Sequence, residues 1–412
     1  MSESEKQIDV VEEAQTVGGA LKVIIPVALG MFLVGFDADL YFFGGTFITT
    51  IIHVNAFYIG VASSGFAAGI AIFSVIGGYI FDKITTRNGI IISLAIISIF
   101  STLTGFVTNQ YELVAYRFLV GFGTGMIQPE IIAFLGDIRP ERRQTVIASE
   151  GIAFGLGLFV APYIFSAYST LATFDIPFII AGISGLALIV VVLALVPSKY
   201  KAYKKPEKSI IEVINKPLIF ISASFLFFGI SYFAFESYAT PYMEAYGFSK
   251  GAAAVAFSTF GLALLIATLP GGIIGDKFKR KLVIIASAII MVIANVMMFI
   301  QTPIFLVITL SIILFGAGYG IYGNVSAFAQ ETVEDQWRGS AVGFMFLIFN
   351  IGSLVGGTLM GAAISLVGYR MAGLYVMIIP MILSFILITL TPKIKIPSGG
   401  KSSKTKKVIE PE

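Results

Sequence analysis

Twelve stretches of the chain are each long and apolar enough to cross a bilayer as a helix, and no other feature limits the possible folds so severely. A spanning helix needs about 20 mostly apolar residues. Candidate spans run at 22–50, 56–81, 88–108, 111–136, 145–168, 176–196, 217–243, 251–275, 282–301, 303–330, 339–367 and 370–391. In hydrocarbon every backbone polar group must find its partner within the protein, so these segments predict helices and an all-α polytopic membrane protein. Composition agrees: 57% of the 412 residues are hydrophobic and 12% charged, against about 25% charged in a soluble domain.

Several chemistries are excluded early. Cysteine is absent and His53 is the single histidine, which removes disulfides, thiolate metal sites and nearly all histidine-based catalysis. No G-x-x-x-x-G-K-[ST] loop is present to hold a nucleotide. The sequence therefore predicts no enzyme, no catalytic residues, no cofactor, no metal site and no nucleic-acid partner. Residues 1–21 are polar and acidic, with no apolar core of a signal peptide before the first span.

Lysine and arginine orient the spans. With both termini in the cytoplasm, 24 of the 27 basic residues fall in cytoplasmic segments; Lys250 and Arg370 fall outside, and Arg117 lies within a span. The longest polar interruption, basic and carrying two prolines, is 197–216. It divides the chain into a cytoplasmic segment 1–21, a first six-helix bundle 22–196, a cytoplasmic linker 197–216, a second six-helix bundle 217–391 and a Lys/Ser-rich tail 392–412 read as disordered.

The two halves carry similar landmarks. Gly77 to Arg87 (GGYIFDKITTR) is echoed by Gly271 to Lys281 (GGIIGDKFKRK), with Asp276 following Asp82 by 194 residues. Gly121, Gly123 and Gly125 in the fourth span are echoed 195 residues later by Gly316, Gly318 and Gly320, and Arg143 by Arg338. Such a duplication points to a repeat-built transporter.

These residues resemble the major facilitator superfamily, whose loop between spans two and three carries G-x-x-x-D-[RK]-x-G-[RK]-[RK]. Gly78, Asp82, Lys83 and Arg87 match, with Thr85 and Thr86 departing; the second copy has Gly272, Asp276, Lys277, Arg280 and Lys281. The resemblance implies two pseudo-symmetric six-helix bundles and a latch on one face. Asp82 would pair with Arg142 or Arg143, and Asp276 with Arg338; Asp137 and Glu331 belong to the same charged loops. The glycines would let helices approach closely. A narrower likeness is to the metabolite:proton symporter branch, which includes aromatic-acid and other organic-anion carriers. It rests on Arg117, Gly121, Gly123, Gly125, Pro129, Asp137, Pro140, Arg142 and Arg143, and on Gly35-Phe36-Asp37; Val34 stands where that branch often has a further aspartate. The P-E-S-P-R pattern that sugar porters show after span six is missing at Pro197-Ser198-Lys199.

A charge near the bilayer centre costs at least about 2.5–3.5 kcal/mol, so each one needs a reason. Asp37 and Asp39 lie near mid-membrane in span one, about 200° apart on the helix, and are the proton-coupling candidates. Of the two, Asp37 matches the branch motif. Arg117 shares a polar stripe with Gly121, Thr124 and Gln128, and a guanidinium there can hold a carboxylate bidentately. Glu236 shares a face with Gly229, Tyr232 and Thr240. Arg117, Gln128, Tyr232, Glu236, Tyr319, Tyr322, Asn324 and Asn350 are the candidate substrate residues. Glu130 falls off the stripe of Arg117, and Glu150 is read as structural, near the cytoplasmic gate. Asp175 before Ile176-Pro177 is expected to cap span six.

The expectation is a secondary transporter working by alternating access as a monomer in the cell membrane. It would carry a small organic anion by symport with protons, or with sodium in their place. The alternatives are a proton-coupled exporter of amphipathic compounds and a sugar-type porter. A receptor fits less well, because the polar segments are too short for a signalling domain.

Overall fold

The computed structural model describes residues 17–55, 57–81, 84–138, 143–168, 170–196, 214–300, 303–334 and 337–394. Residues 1–16, most of the linker and the tail from 395 lie outside the described residues.

The apolar segments form helices throughout. In the first half these are α1 (Val17–Ile51), α2 (Phe57–Phe81), α3 (Thr86–Thr104), α4 (Gln110–Ile138), α5 (Arg143–Ala167) and α6 (Ile176–Leu195). In the second half they are α7 (Lys216–Ala245), α8 (Lys250–Lys277), α9 (Arg280–Ile300), α10 (Phe305–Tyr322) with its extension α11 (Asn324–Gln330), α12 (Arg338–Gly373), a π-helical turn (Leu374–Ile378) and α13 (Ile379–Leu390). Polar side chains start several of them: Thr85 accepts from the amide of Asn88, Asn215 from Leu218 and Ser249 from Ala252, each satisfying a first-turn donor. Asp175 stands at the cap position of α6 but makes no side-chain capping bond, and Pro177 in the first turn shapes that start instead.

Ten stretches among the described residues pass a length-and-hydropathy test for crossing a membrane. One of them, Ser340–Leu390, contains two spans joined at Gly368, whose φ of 75° breaks α12 where a side chain would be strained. The span absent from those ten is α4, which carries Glu112, Arg117, Glu130 and Asp137 yet packs along α2 and α3 as a 29-residue helix. Twelve spans result. Exposed large side chains such as Leu366, Leu306 and Val190 give the outer surface the apolar character a bilayer requires.

Within each half, glycine brings helix backbones into direct contact, and the contacts repeat. A Cβ on Gly35 would stand 2.4 Å from the carbonyl oxygen of Phe154; on Gly229, 2.5 Å from that of Phe349. Gly157 meets Phe32, and Gly352 meets Leu226. Gly121 meets Phe66, Gly316 meets Phe260, Gly125 meets Ile70, and Gly320 meets Leu264. Gly123 meets Ser93 and Ile97 of α3 just as Gly318 meets Ser287 and Met291 of α9. Every position in the second set follows its counterpart by 194 or 195 residues. The duplicated glycines are thus the same helix crossings built twice, α1 on α5 and α7 on α12, α2 on α4 and α8 on α10.

The halves meet chiefly through α2 against α12 and α5 against α8. On the face away from the starts of α1 and α7, here the distal face, they are closed. The hydroxyl of Tyr238 accepts from the amide of Gly60 (3.0 Å), Ser64 bonds Thr358 (2.7 Å) and Ser237 donates to Ser63 (2.9 Å). The Lys250 ammonium sits over the ring of Phe47, a cation–π contact from α8 to α1.

Candidate functional site

The interior of the bundle gathers charge beside one of its close helix crossings. Gly35 packs α1 onto α5, and two residues on, about 200° around the helix, Asp37 meets α4, where Arg117 Nη1 donates to Asp37 Oδ2 at 2.8 Å. Both side chains are essentially inaccessible to solvent. The guanidinium lies 4.4 Å from the ring centroid of Tyr41 and 4.8 Å from that of Phe66, whose faces stabilise a desolvated cation. Its Nε and Nη2, which together make the side-on fork that suits a carboxylate, have no hydrogen-bond partner, and neither has Asp37 Oδ1. Tyr41 itself is held by a bond from its hydroxyl to the Ile59 carbonyl at 2.9 Å.

Asp39 turns the other way, toward the second half. It is fully buried, neither carboxylate oxygen has a hydrogen-bond partner, and its electrostatic neighbour is Glu236 of α7. The hydroxyl of Tyr232 donates to Glu236 Oε1, one helical turn along. Tyr319 of α10 packs on Tyr232 with ring centroids 4.7 Å apart. Phe228, Phe225 and Phe349 continue these rings as a stacked aromatic wall. Phe42 and Phe233 meet edge to face at 6.3 Å and tie α1 to α7 beside the two acids.

Of the residues singled out from the sequence, Asp37, Asp39, Arg117, Tyr232, Glu236 and Tyr319 are therefore brought into one buried region. Gln128 joins it through Glu150 of α5, which interacts with both Gln128 and Tyr319. Depth along α5 placed Glu150 near the gate, and rotation about the helix, which depth does not give, turns it toward Tyr319. Tyr41 and Thr124 also belong to this interior, Thr124 with a buried hydroxyl that has no partner. Thr124 was visible on the polar stripe of Arg117, whereas no motif marks Tyr41.

Other candidates are engaged elsewhere. Tyr322 shares bonds with Ser224 and Ser384 (2.9 and 3.1 Å), Asn324 donates to the Gly271 carbonyl (3.0 Å), and Asn350 donates to the Phe346 carbonyl of its own helix (2.9 Å). These polar groups hold the second half together. Glu130 accepts from Thr86 and so ties α4 to α3.

For the loop charges, Asp82, Lys83 and Arg142 lie outside the described residues, as do the side chains of Asp137, Arg143, Asp276 and Arg338 and the surroundings of Gly78. In the second copy Arg280 pairs with Glu331, and Lys281 donates to the Thr391 carbonyl at 2.7 Å. Arg87 reaches the Leu193 carbonyl at 3.4 Å, while Lys277 is exposed. The close approach expected at Gly272 falls to its neighbours. A Cβ there meets nothing within 4 Å, whereas one on Gly271 would stand 2.9 Å from Ile321 Cα, and one on Gly275 would clash with Asn324.

Comparison with known proteins agrees with this architecture. The profile described as Major Facilitator Superfamily matches residues 27–258 and 238–411. Among curated relatives, a hexuronate transporter of Bacillus subtilis (strain 168) is 24% identical over 378 residues, covering 84% of this chain and 89% of its own. A gentisate transporter of Corynebacterium glutamicum is 25% identical over 369 residues, covering 81% and 80%. Among solved structures, a bacterial homologue of the human lysosomal transporter Spinster, in an inward-facing and unoccupied conformation, superposes with a TM-score of 0.76. It is 15% identical and the match covers 91% of this chain and 98% of that one, a likeness of fold.

Proposed function

The chain belongs to the major facilitator superfamily of membrane transporters, and from this premise we propose that it is a proton-coupled symporter of a small organic anion, working by alternating access. The observation that carries the reading is the half-used guanidinium of Arg117. Asp37 occupies one nitrogen, and the Nε/Nη2 edge keeps its donors unpaired in a buried setting. An isolated buried donor pair of this kind is costly unless a ligand completes it. A carboxylate matches that edge in charge and geometry. The names of the relatives, hexuronate and gentisate transporters, support the same class of solute.

Coupling follows from competition. A substrate carboxylate on the free edge of Arg117 competes with Asp37 for the guanidinium, and a proton carried on Asp37 leaves the guanidinium to the substrate. Anion and proton then bind and leave together. Tyr232, Tyr319 and the aromatic wall give the organic body of the solute an apolar face, while Glu236, Gln128 and Glu150 set its polar end. The distal face is the extracellular one in this reading, both termini are cytoplasmic, the membrane is the cell membrane, and a single chain suffices. Residues 22–196 and 217–391 are the two bundles that rock about the site.

Asp37→Asn is the direct test in proteoliposomes. Uptake driven by an imposed pH gradient is expected to fall to background, while exchange of external for internal substrate persists, because exchange needs no net proton movement. Gradient-driven uptake at the parental rate in Asp37→Asn overturns the assignment. The aromatic wall also favours a second reading, export of amphipathic compounds. Accumulation of an amphipathic cation by inverted vesicles, with no response to carboxylates, selects that reading instead.

A further inference from the structure

We propose that Asp39 and Glu236 form a second proton site, one that spans the two halves, and that a proton held there favours closure of the distal face. The inference rests on the alternating-access reading above, but not on the roles given to Asp37 and Arg117.

Four observations lead to it. The two carboxylates come from α1 and α7, one from each half, are both buried, and each stands three residues along its helix from the ring, Phe42 or Phe233, through which those helices touch. Arg117 is the one buried cation among the described residues, and it is bonded to Asp37, so no positive charge compensates this pair. Both oxygens of Asp39 lack any donor, although the fold has otherwise excluded solvent from them. Finally, the pair lies close to the seam that closes the distal face, where Ser63 meets Ser237, Gly60 meets Tyr238 and Ser64 meets Thr358.

The remaining ionisable groups around the pair are Tyr232 and Tyr319 at Glu236, with Glu150 beyond Tyr319. None supplies a positive charge. Two negative carboxylates on opposing halves repel in a medium of low dielectric constant and push the halves apart. One proton removes most of that repulsion and provides an O–H donor for the oxygens that lack one. The same charge that loads from the medium thus sets which face is shut, a two-state element biased by protonation. Nothing in the duplicated architecture requires these acids. The position 194 residues after Asp39 is Phe233, and the one 194 before Glu236 is Phe42, the two rings that meet beside the pair.

The absence of cysteine makes a clean measurement possible. Spin labels on Tyr111→Cys and Leu306→Cys, both highly exposed and at the distal starts of α4 and α10, report the separation of the halves by electron–electron resonance in lipid nanodiscs. In this background the short-distance population is expected to grow as the medium is acidified, with the closed-to-open ratio changing by up to about tenfold per pH unit around the midpoint for one proton. Asp39→Asn and Glu236→Gln should each hold the short population at every pH, because one of the opposing charges is gone. Asp37→Asn leaves the pair intact and should keep the pH response. An unchanged pH response in both Asp39→Asn and Glu236→Gln overturns the inference, as does closure driven by sodium at constant pH. If either variant fails to fold, the other carries the test alone. If Asp37→Asn loses gradient-driven uptake while the pair variants keep the parental response, the proposed function stands and this inference falls. If the parent takes up no anion on a pH gradient, yet its distances respond through the pair alone, the reverse holds.

Discussion

Arg117→Met is expected to destabilise the folded protein by about 3–5 kcal/mol, the cost of leaving one member of a buried ion pair without its partner. The stranded group is Asp37, which has Arg117 as its hydrogen-bonded partner and no access to solvent. Tyr41 and Phe66, which lie against the cation, cannot stabilise an anion in its place, since their ring faces repel negative charge. The double variant Asp37→Asn with Arg117→Met removes both charges and should recover most of the loss. Thermal unfolding in detergent, followed by the midpoint Tm of parent, single and double variants, reads the pattern. A single variant as stable as the parent shows that Asp37 and Arg117 do not depend on each other.

Gly60→Leu should stop transport while leaving each half folded. A Cβ at position 60 would stand 2.2 Å from the carbonyl oxygen of Gly357 and 2.7 Å from the hydroxyl of Tyr238, across the seam from α2 to α12 and α7. The carbonyl belongs to backbone and cannot move aside without displacing a helix. Closure of the distal face is the state that suffers, because only there do these atoms meet. With the spin labels described above, Gly60→Leu is expected to shift the population to long distances at every pH and to reduce uptake at least about tenfold, since each 1.4 kcal/mol taken from the closed state changes its population by that factor. Normal uptake by Gly60→Leu contradicts a seam that must close during each cycle.

The scaffold was largely legible in the sequence because its causes are local or periodic. Apolar stretches of about 20 residues announce spans wherever they stand, and even the charged α4 could be placed, since it lies between unmistakable neighbours. The glycines of spans four and ten were visible as a repeat at 195 residues. Their partners were not: that Gly121 meets Phe66 and Gly316 meets Phe260 depends on how helices rotate against each other. The same gap explains the candidate site. Asp37 and Arg117 each stood out as a costly intramembrane charge, and the structure joins them. Glu236 was expected among the substrate residues, but that Asp39 is its electrostatic neighbour was not legible, because it follows from the approach of α1 to α7. Tyr322, Asn324 and Asn350 are polar residues within spans and so looked available, but interhelix and intrahelix bonds claim them.

Symmetry separates scaffold from chemistry. The glycine contacts recur in both halves, whereas Ser231 stands 194 residues after Asp37 and Ile312 stands 195 after Arg117. Charges that break an otherwise faithful repeat are costly in the membrane, and the proposed binding of a solute and a proton would give them a reason to be there.

The central claim is that this buried charge binds an organic anion together with a proton. Its most direct test follows both fluxes at once in liposomes of the purified protein, with radiolabelled gentisate or glucuronate as the probe and a pH electrode outside. The account predicts that adding the anion makes the medium more alkaline as label enters, and that an inward proton gradient drives the label above its equilibrium level. Label that enters with no accompanying alkalinisation, and that is indifferent to the gradient, contradicts it.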